Sequence, residues 1–173
     1  MPYFNIVAQS SESTVVTEYK PQSKRSEAYQ SEADLEKEFI RLLCELGYER
    51  LTVHKEADLI ANLRTQLEKL NNYRFTDGEW KRFWNEVLAN TNSGILEKTR
   101  LIQEDYVQVL RRDNGESKNI QLIDKKCIHN NSLQLINQYT VSAEEGAAHD
   151  NRYDVTVLVN GLPLIHIELK RRG

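Results

Sequence analysis

Arg152-Tyr153-Asp154-Val155-Thr156-Val157-Leu158-Val159-Asn160-Gly161-Leu162-Pro163-Leu164-Ile165-His166-Ile167-Glu168-Leu169-Lys170 decides how the second half of this chain folds. Residues 153–159, β-branched or apolar apart from Asp154, predict a strand. Asn160-Gly161 breaks it, and residues 164–170 form a second strand ending in Glu-x-Lys. Side chains alternate along a strand. Asp154, Thr156 and Leu158 therefore share one face, and His166, Glu168 and Lys170 share one face. Val155, Val157 and Val159 point the other way, as do Ile165, Ile167 and Leu169. One sheet face is apolar on both strands, and the other collects the functional groups.

Register decides whether those groups meet. A plain two-residue turn at Asn160-Gly161 places Asp154 opposite Ile167, with the acids on opposite faces. A three-residue turn pairs Asp154 with Glu168 and Thr156 with His166. Asn-Gly by itself favours the two-residue form. A shared site therefore requires a three-residue loop or a bulge.

Working back along the chain, helices come first. Ser31 with Asp34 three residues on resembles a capping box. Leu35, Phe39, Leu42, Leu43 and Leu46 recur at helical spacing, and Gly47 ends the element. Glu32 and Glu36 fall inside this apolar arc. Glu32 is explained by the helix dipole, whereas Glu36 is not. A second helix runs over residues 56–70, with Leu59, Leu63, Leu67 and Leu70 on one face. A third starts near Thr76 or Asp77 and carries Trp80, Phe83, Trp84, Val87 and Leu88, aromatics that read as core. Residues 106–110 and 119–123 predict strands around a turn at Asp113-Asn114-Gly115. Residues 133–141 predict another, followed by a loop through Glu144-Glu145-Gly146. Residues 1–30 read as a loosely structured arm, with a short strand at Val15-Val16-Thr17 and a loop over residues 21–25. Residues 31–173 read as one α/β domain, a mixed sheet flanked by helices.

With 173 residues, 39% hydrophobic and 28% charged, the chain has the balance of a soluble globular domain. It has no apolar run of membrane-spanning length and no signal-peptide pattern at Met1-Pro2-Tyr3-Phe4. Cys44 and Cys127 lack metal-ligand spacing, and Cys44 falls in a helix pattern as a buried thiol. A cytoplasmic location and no membrane partner are expected. The net charge is −3, from 23 Lys+Arg against 26 Asp+Glu. Any contacts to nucleic acid must then be local, and Lys170-Arg171-Arg172 and Lys125-Lys126 are the clusters available. Each is also an ordinary solvated surface run.

The closing hairpin carries the chemistry. Hydrolysis of a phosphodiester needs an activated water and a phosphorus shielded from its own charge. Two carboxylates suit Mg²⁺, which takes oxygen ligands and keeps several waters. A lysine near the same oxygens orients the water and stabilises the developing anion. Asp154 and Glu168 would be the ligands, joined by the carbonyl of Leu169, and Lys170 the cation. The bland alternative is an amphipathic hairpin with a charged solvated face. His166 is a candidate base or DNA contact, or a partly buried structural histidine.

Residues 152–164, continuing through Ile167-Glu168-Leu169-Lys170-Arg171-Arg172-Gly173, resemble the N-terminal nuclease domain of type I restriction enzyme R subunits (HsdR). The segment from Glu36 to Gly47-Tyr48 resembles that domain's first helix, and the resemblance spans roughly residues 30–173. It implies a PD-(D/E)xK restriction-endonuclease-like fold and a Mg²⁺-dependent endonuclease acting on double-stranded DNA. Partner methylation (M) and specificity (S) subunits are implied as well, the latter reading the sequence. Asp154 and Glu168 would then be metal ligands, Lys170 the catalytic lysine and Glu36 the helix acid, with Glu32 a weaker candidate. The family's following helix, with a Gln-x-x-x-Tyr motif, is expected beyond Gly173. No Gly-x-x-x-x-Gly-Lys-Ser/Thr occurs, so ATP is expected to bind only elsewhere in a full-length subunit. Two other readings stand beside this one. One is a non-catalytic docking module of a restriction or DNA-processing complex. The other is a single-stranded nucleic-acid binder, which needs Trp80 and Trp84 exposed.

Overall fold

In the computed structural model, which describes residues 3–9, 15–20, 31–141 and 151–170, Asn160 and Gly161 both take left-handed angles, φ +51° and +82°. This is the backbone a two-residue hairpin turn requires. Val159 pairs with Leu162 across it, and Leu158 with Pro163. The register then shifts, and Val157 faces Ile165, Thr156 faces His166 and Val155 faces Ile167. Leu164 is the extra residue, so the hairpin has both the two-residue turn that Asn-Gly favours and the bulge that a shared acidic site demands.

The hairpin joins β7 (Asn151–Val159) to β8 (Leu162–Ile167). With β6 (Leu133–Val141) and the two-residue β3 (Glu49–Arg50) it forms a four-stranded mixed sheet of order β3-β6-β7-β8. Only the β3–β6 pair is parallel. Side chains of β3 reinforce this short pair on both faces. Gln134 donates to Glu49 at 2.9 Å, and Arg50 donates to Asn137 at 3.0 Å.

Helix α1 (Glu32–Glu45) starts as expected, with the Ser31 hydroxyl accepting from the Asp34 N–H, and the chain turns away at Gly47 with φ +95°. Its buried face differs from the sequence expectation. Ile40 is buried against Leu135 and Val155, with Phe39, Leu43 and Ile167 beside it, while Leu42 and Leu46 are exposed. Glu36, Phe39, Ile40 and Leu43 are the stripe presented to the sheet, an i, i+3, i+4, i+7 set. Cys44, expected to be buried, is exposed for the same reason.

Helix α2 (Glu56–Asn71) buries Leu63 and Leu67. It then turns into α3 (Asp77–Phe83), which continues as a π-helical turn (Trp84–Leu88). Trp80 is buried and packs edge-on against Phe75 at 5.4 Å, and Trp84 is half-buried beside it, as core aromatics. The exposure that a single-strand binder needs is therefore missing at Trp80. Strands β4 (Val107–Arg111) and β5 (Ser117–Gln121) pair only with each other, so they form a ribbon over α2 and α3 and not part of the main sheet. Helix α4 (Ile95–Gln103), which sequence patterning did not reveal, precedes this ribbon and leaves Ile95 and Leu96 exposed. The centre of β7 is buried on both faces: Val155, Thr156, Val157 and Leu158 are all buried. The Thr156 and Leu158 side of β7 is covered by α2, while Glu168 and Lys170 on the neighbouring segment stay exposed.

Residues 1–30 form a compact unit of their own, in which β1 (Tyr3–Gln9) pairs antiparallel with β2 (Val15–Lys20). The loops expected over residues 21–25 and at Glu144-Glu145-Gly146 lie outside the described residues. Among the described residues no helix is long and apolar enough to cross a membrane.

Two stability predictions come from this packing. A Cβ added at Gly161 meets the Leu63 Cα at 2.6 Å while φ stays positive. Gly161→Ala should cost about 2 kcal/mol or more in a urea melt, and a loss under about 0.5 kcal/mol would mean α2 does not press on the turn. Glu79 is buried and accepts from the Tyr73 hydroxyl and from the Thr76 and Asp113 N–H groups. Burial alone pushes its carboxyl up, but these donors together hold it below the usual value. A depressed folded pKa stabilises the fold above the unfolded value and is lost as pH falls through the folded one. The melting temperature of the wild type should therefore fall below about pH 4.5 more steeply than that of Glu79→Gln. Parallel curves would show that Glu79 does not contribute.

Candidate active site

The Asp154 carboxylate accepts the backbone N–H of Leu169 at 2.6 Å. In a continued ladder that N–H would bond to the β7 backbone, so the side chain replaces a strand hydrogen bond. This explains why β8 ends at Ile167, although its pattern predicts a strand to Lys170. It also brings Asp154, half-buried, against the Glu168-Leu169-Lys170 segment. Glu168 and Lys170 form an ion pair of 3.2 Å with side chains 64% and 77% exposed. An exposed pair of this kind contributes little, so it leaves both groups available to a stronger partner. Arg171 and Arg172 of the expected basic cluster lie outside the described residues.

His166 Nδ1 lies 2.9 Å from the hydroxyl of the buried Thr156. Desolvation lowers its pKa, which favours the neutral ring. The ring borders a mainly apolar cavity of about 290 Å³ under α2, with Leu59, Ile60 and Leu63. This is a structural setting more than that of a base.

Glu36 is half-buried and accepts from the Asn137 amide at 3.0 Å, whereas Glu32 is exposed in the first turn of α1. Helix α1 covers the face that carries Val155 and Ile167. Alternation assigns Asp154 to the other face, with Thr156. Glu36 thus reaches the sheet from the opposite side to Asp154. Among the described residues no three Asp, Glu, His or Cys side chains gather as a metal-binding group.

Sequence reasoning passed over Asn137. Its signal was a polar residue two positions after Leu135 on the face α1 covers, where apolar residues are the rule. Lys125 donates to the Gln103 carbonyl and lies 4.6 Å from the Tyr106 ring centroid, which makes it a structural lysine.

Residues 29–173 match the family of the type I restriction enzyme R protein N terminus. The chain is 45% identical over 168 residues to the type I restriction enzyme EcoprrI endonuclease subunit of Escherichia coli, across 96% of this chain and 52% of that protein. It is 39% identical over 151 residues to the type I restriction enzyme SauMSSORF170P endonuclease subunit of Staphylococcus aureus strain MSSA476, across 84% of this chain and 15% of that one. A Staphylococcus saprophyticus type I restriction endonuclease subunit, SsaAORF53P, is 37% identical over 150 residues. The chain spans about half the length of the Escherichia coli relative and 15% of the staphylococcal ones.

If Asp154 replaces a ladder bond, Asp154→Ala should raise amide hydrogen exchange at Leu169 by about tenfold, the worth of one net hydrogen bond. Exchange at the buried Val155 and Val157 should stay unchanged. Equal protection of Leu169 in both proteins would show that another group holds it.

Proposed function

Because the chain belongs to the family of type I restriction enzyme R protein N termini, we propose that it is the endonuclease module of a restriction R subunit, hydrolysing phosphodiester bonds of double-stranded DNA with Mg²⁺. The observation that carries this reading is the bond from Leu169 N–H to Asp154, which seats one acid against the segment bearing the other acid and the lysine.

The donor set fits the ion. Asp154, Glu168 and the Leu169 carbonyl are all oxygen donors, and Mg²⁺ characteristically takes one or two carboxylates and fills its remaining sites with water and phosphate. A three-residue protein cage is not needed. When bound, the ion supplies charge neutralisation on the phosphate and lowers the pKa of a water.

The chain's own groups do the rest. Asp154 is held in one orientation by its hydrogen bond, so the ligand is preorganised. Lys170 exchanges its weak surface pairing for the phosphate, where it orients the water and stabilises the anion that develops as the P–O bond breaks. Glu36, the acid expected from α1, stands on the other face of the sheet with Asn137, so the work proposed here rests on Asp154, Glu168 and Lys170. In this reading the module acts within a longer subunit that contains the ATP-driven translocase. M and S subunits complete the complex, and S selects the DNA sequence.

Magnesium titration by calorimetry should show binding in the millimolar range or tighter, lost in Asp154→Ala. Nicking of supercoiled plasmid should fall on the order of a hundredfold or more in Glu168→Gln and Lys170→Ala while DNA binding persists. A wild-type chain that neither binds Mg²⁺ nor nicks DNA, or variants as active as wild type, would overturn the proposal in favour of a non-catalytic docking module.

A further inference from the structure

The β4–β5 ribbon has a side with no strand beside it. Its ladder is extended by bonds from the Arg112 N–H to the Glu116 carbonyl and from the Leu122 N–H to the Tyr106 carbonyl. Hydrogen-bonded and non-bonded pairs alternate in an antiparallel ladder. Gln108 and Leu110 therefore turn their backbone groups to β5, and Val107, Val109 and Arg111 turn theirs away from it. Side chains close both ends of this outer row. Gln108 donates to the Asp105 carbonyl at 2.6 Å, and Arg82 donates to the Arg111 carbonyl at 3.2 Å. On the far side of the ribbon, Asn71 both donates to and accepts from the Gln121 backbone. Among the described residues no hydrogen bond takes up the outward groups of Val107 and Val109, so the open stretch is centred on Gln108.

Side chains suit this stretch to pairing. Leu110 and Ile120 sink into the core, while Val107 and Val109 are 44% and 59% exposed on the other face, with Arg111. A groove of about 120 Å³ runs beside Val109, between the strand and Phe83 and Val87. β4 contains no proline, and its register has no bulge. A regular, β-branched, unpaired edge is complementary to another strand. Charge selects which strand. Glu104 and Asp105 precede Val107, and Arg111 and Arg112 follow Val109. Arg112 is paired with Glu116, but among the described residues no ion pair engages Asp105 or Arg111. A strand laid antiparallel on this one must be basic where β4 begins and acidic where it ends, and β4 itself meets that description.

We propose that β4 is a self-association edge, on which a second copy of this chain pairs antiparallel about a two-fold axis at Gln108. Val107 then exchanges both backbone hydrogen bonds with the partner's Val109, and Val109 does so with the partner's Val107. The four valine side chains meet on one face, and Asp105 of each copy stands opposite the partner's Arg111. Two ribbons become one four-stranded sheet. The contact is isologous, and its small area makes it weak. It does not depend on the nuclease reading.

Sedimentation equilibrium of the whole chain tests this. Wild type should dimerise with a Kd on the order of ten to a few hundred micromolar. Val109→Lys, at an exposed position, should weaken the dimer by about tenfold or more with wild-type melting. Asp105→Arg and Arg111→Asp should each weaken it on the order of tenfold, since every dimer loses both pairs and gains two repulsions. The double variant should return to within about threefold of wild type. Ile165→Lys, on the open strand of the main sheet, should associate as wild type does. A wild-type chain still monomeric at about 1 mM would overturn the proposal and leave the edge to a different partner. So would a Val109→Lys dimer as tight as wild type, loss of association in Ile165→Lys, or a double charge variant no tighter than its two parents. If Val109→Lys melts early, the charge exchange decides.

Discussion

Two left-handed residues at the tip of the closing hairpin constrain everything that follows from them. Gly161 is pressed so closely on the backbone of Leu63 that no side chain fits there. Asn160 is buried and accepts from the Ser132 N–H while donating to the Leu122 carbonyl and to Asn131. Its own N–H goes to the Ser132 carbonyl. The tip is therefore bolted to α2 on one side and to the loop leading into β6 on the other. A buried amide with its polar groups satisfied adds direction as well as stability. Pairing in β7 and β8 is counted from this fixed point, and the bulge at Leu164 then moves the remaining residues by one. Thr156 faces His166 only because both devices act together.

The sheet so placed is covered on both sides, and β6 carries a paired polar side chain toward each. On the α2 side, Gln134 accepts from Asn62 and donates to Glu49. On the α1 side, Asn137 joins Glu36 and Arg50. Buried polar groups cost free energy unless they are partnered. These contacts therefore admit few alternative placements of a β3 strand only two residues long. Glu168 and Lys170 then lie just past the last paired residue of β8, where the backbone has left the ladder but is still tied to Asp154 on β7.

How much of this could be read from the sequence depended on whether local chemistry or tertiary contact decided the outcome. The caps at Ser31 and Thr76 and the turn at Asn160-Gly161 are local devices, and each stands where its residues predict. The need for a bulge was also legible, because period-two alternation allows the acids one face only if a residue is added. Periodicity could not tell which stripe of α1 would be buried. Leu42 and Ile40 are both apolar, and the tertiary contact with Leu135 and Val155 falls to Ile40. The burial of Thr156 could not be read, because nothing in β7 announces that α2 returns over it. The partnership of Arg50 with Asn137 spans 87 positions, and no short-range pattern reports such a pair.

Strand order puts β8 at the margin of the sheet, and among the described residues no further strand pairs with it. Its surface includes Ile165 at 52% exposure. Such a margin invites another chain to add itself edge to edge. Within six residues, however, β8 contains a proline without an N–H and the bulge at Leu164, and it gives up its ladder at Ile167. An incoming strand finds no long, even row of donors and acceptors to match. The irregularity that aligns the acids thus also makes this margin a poor template for self-association.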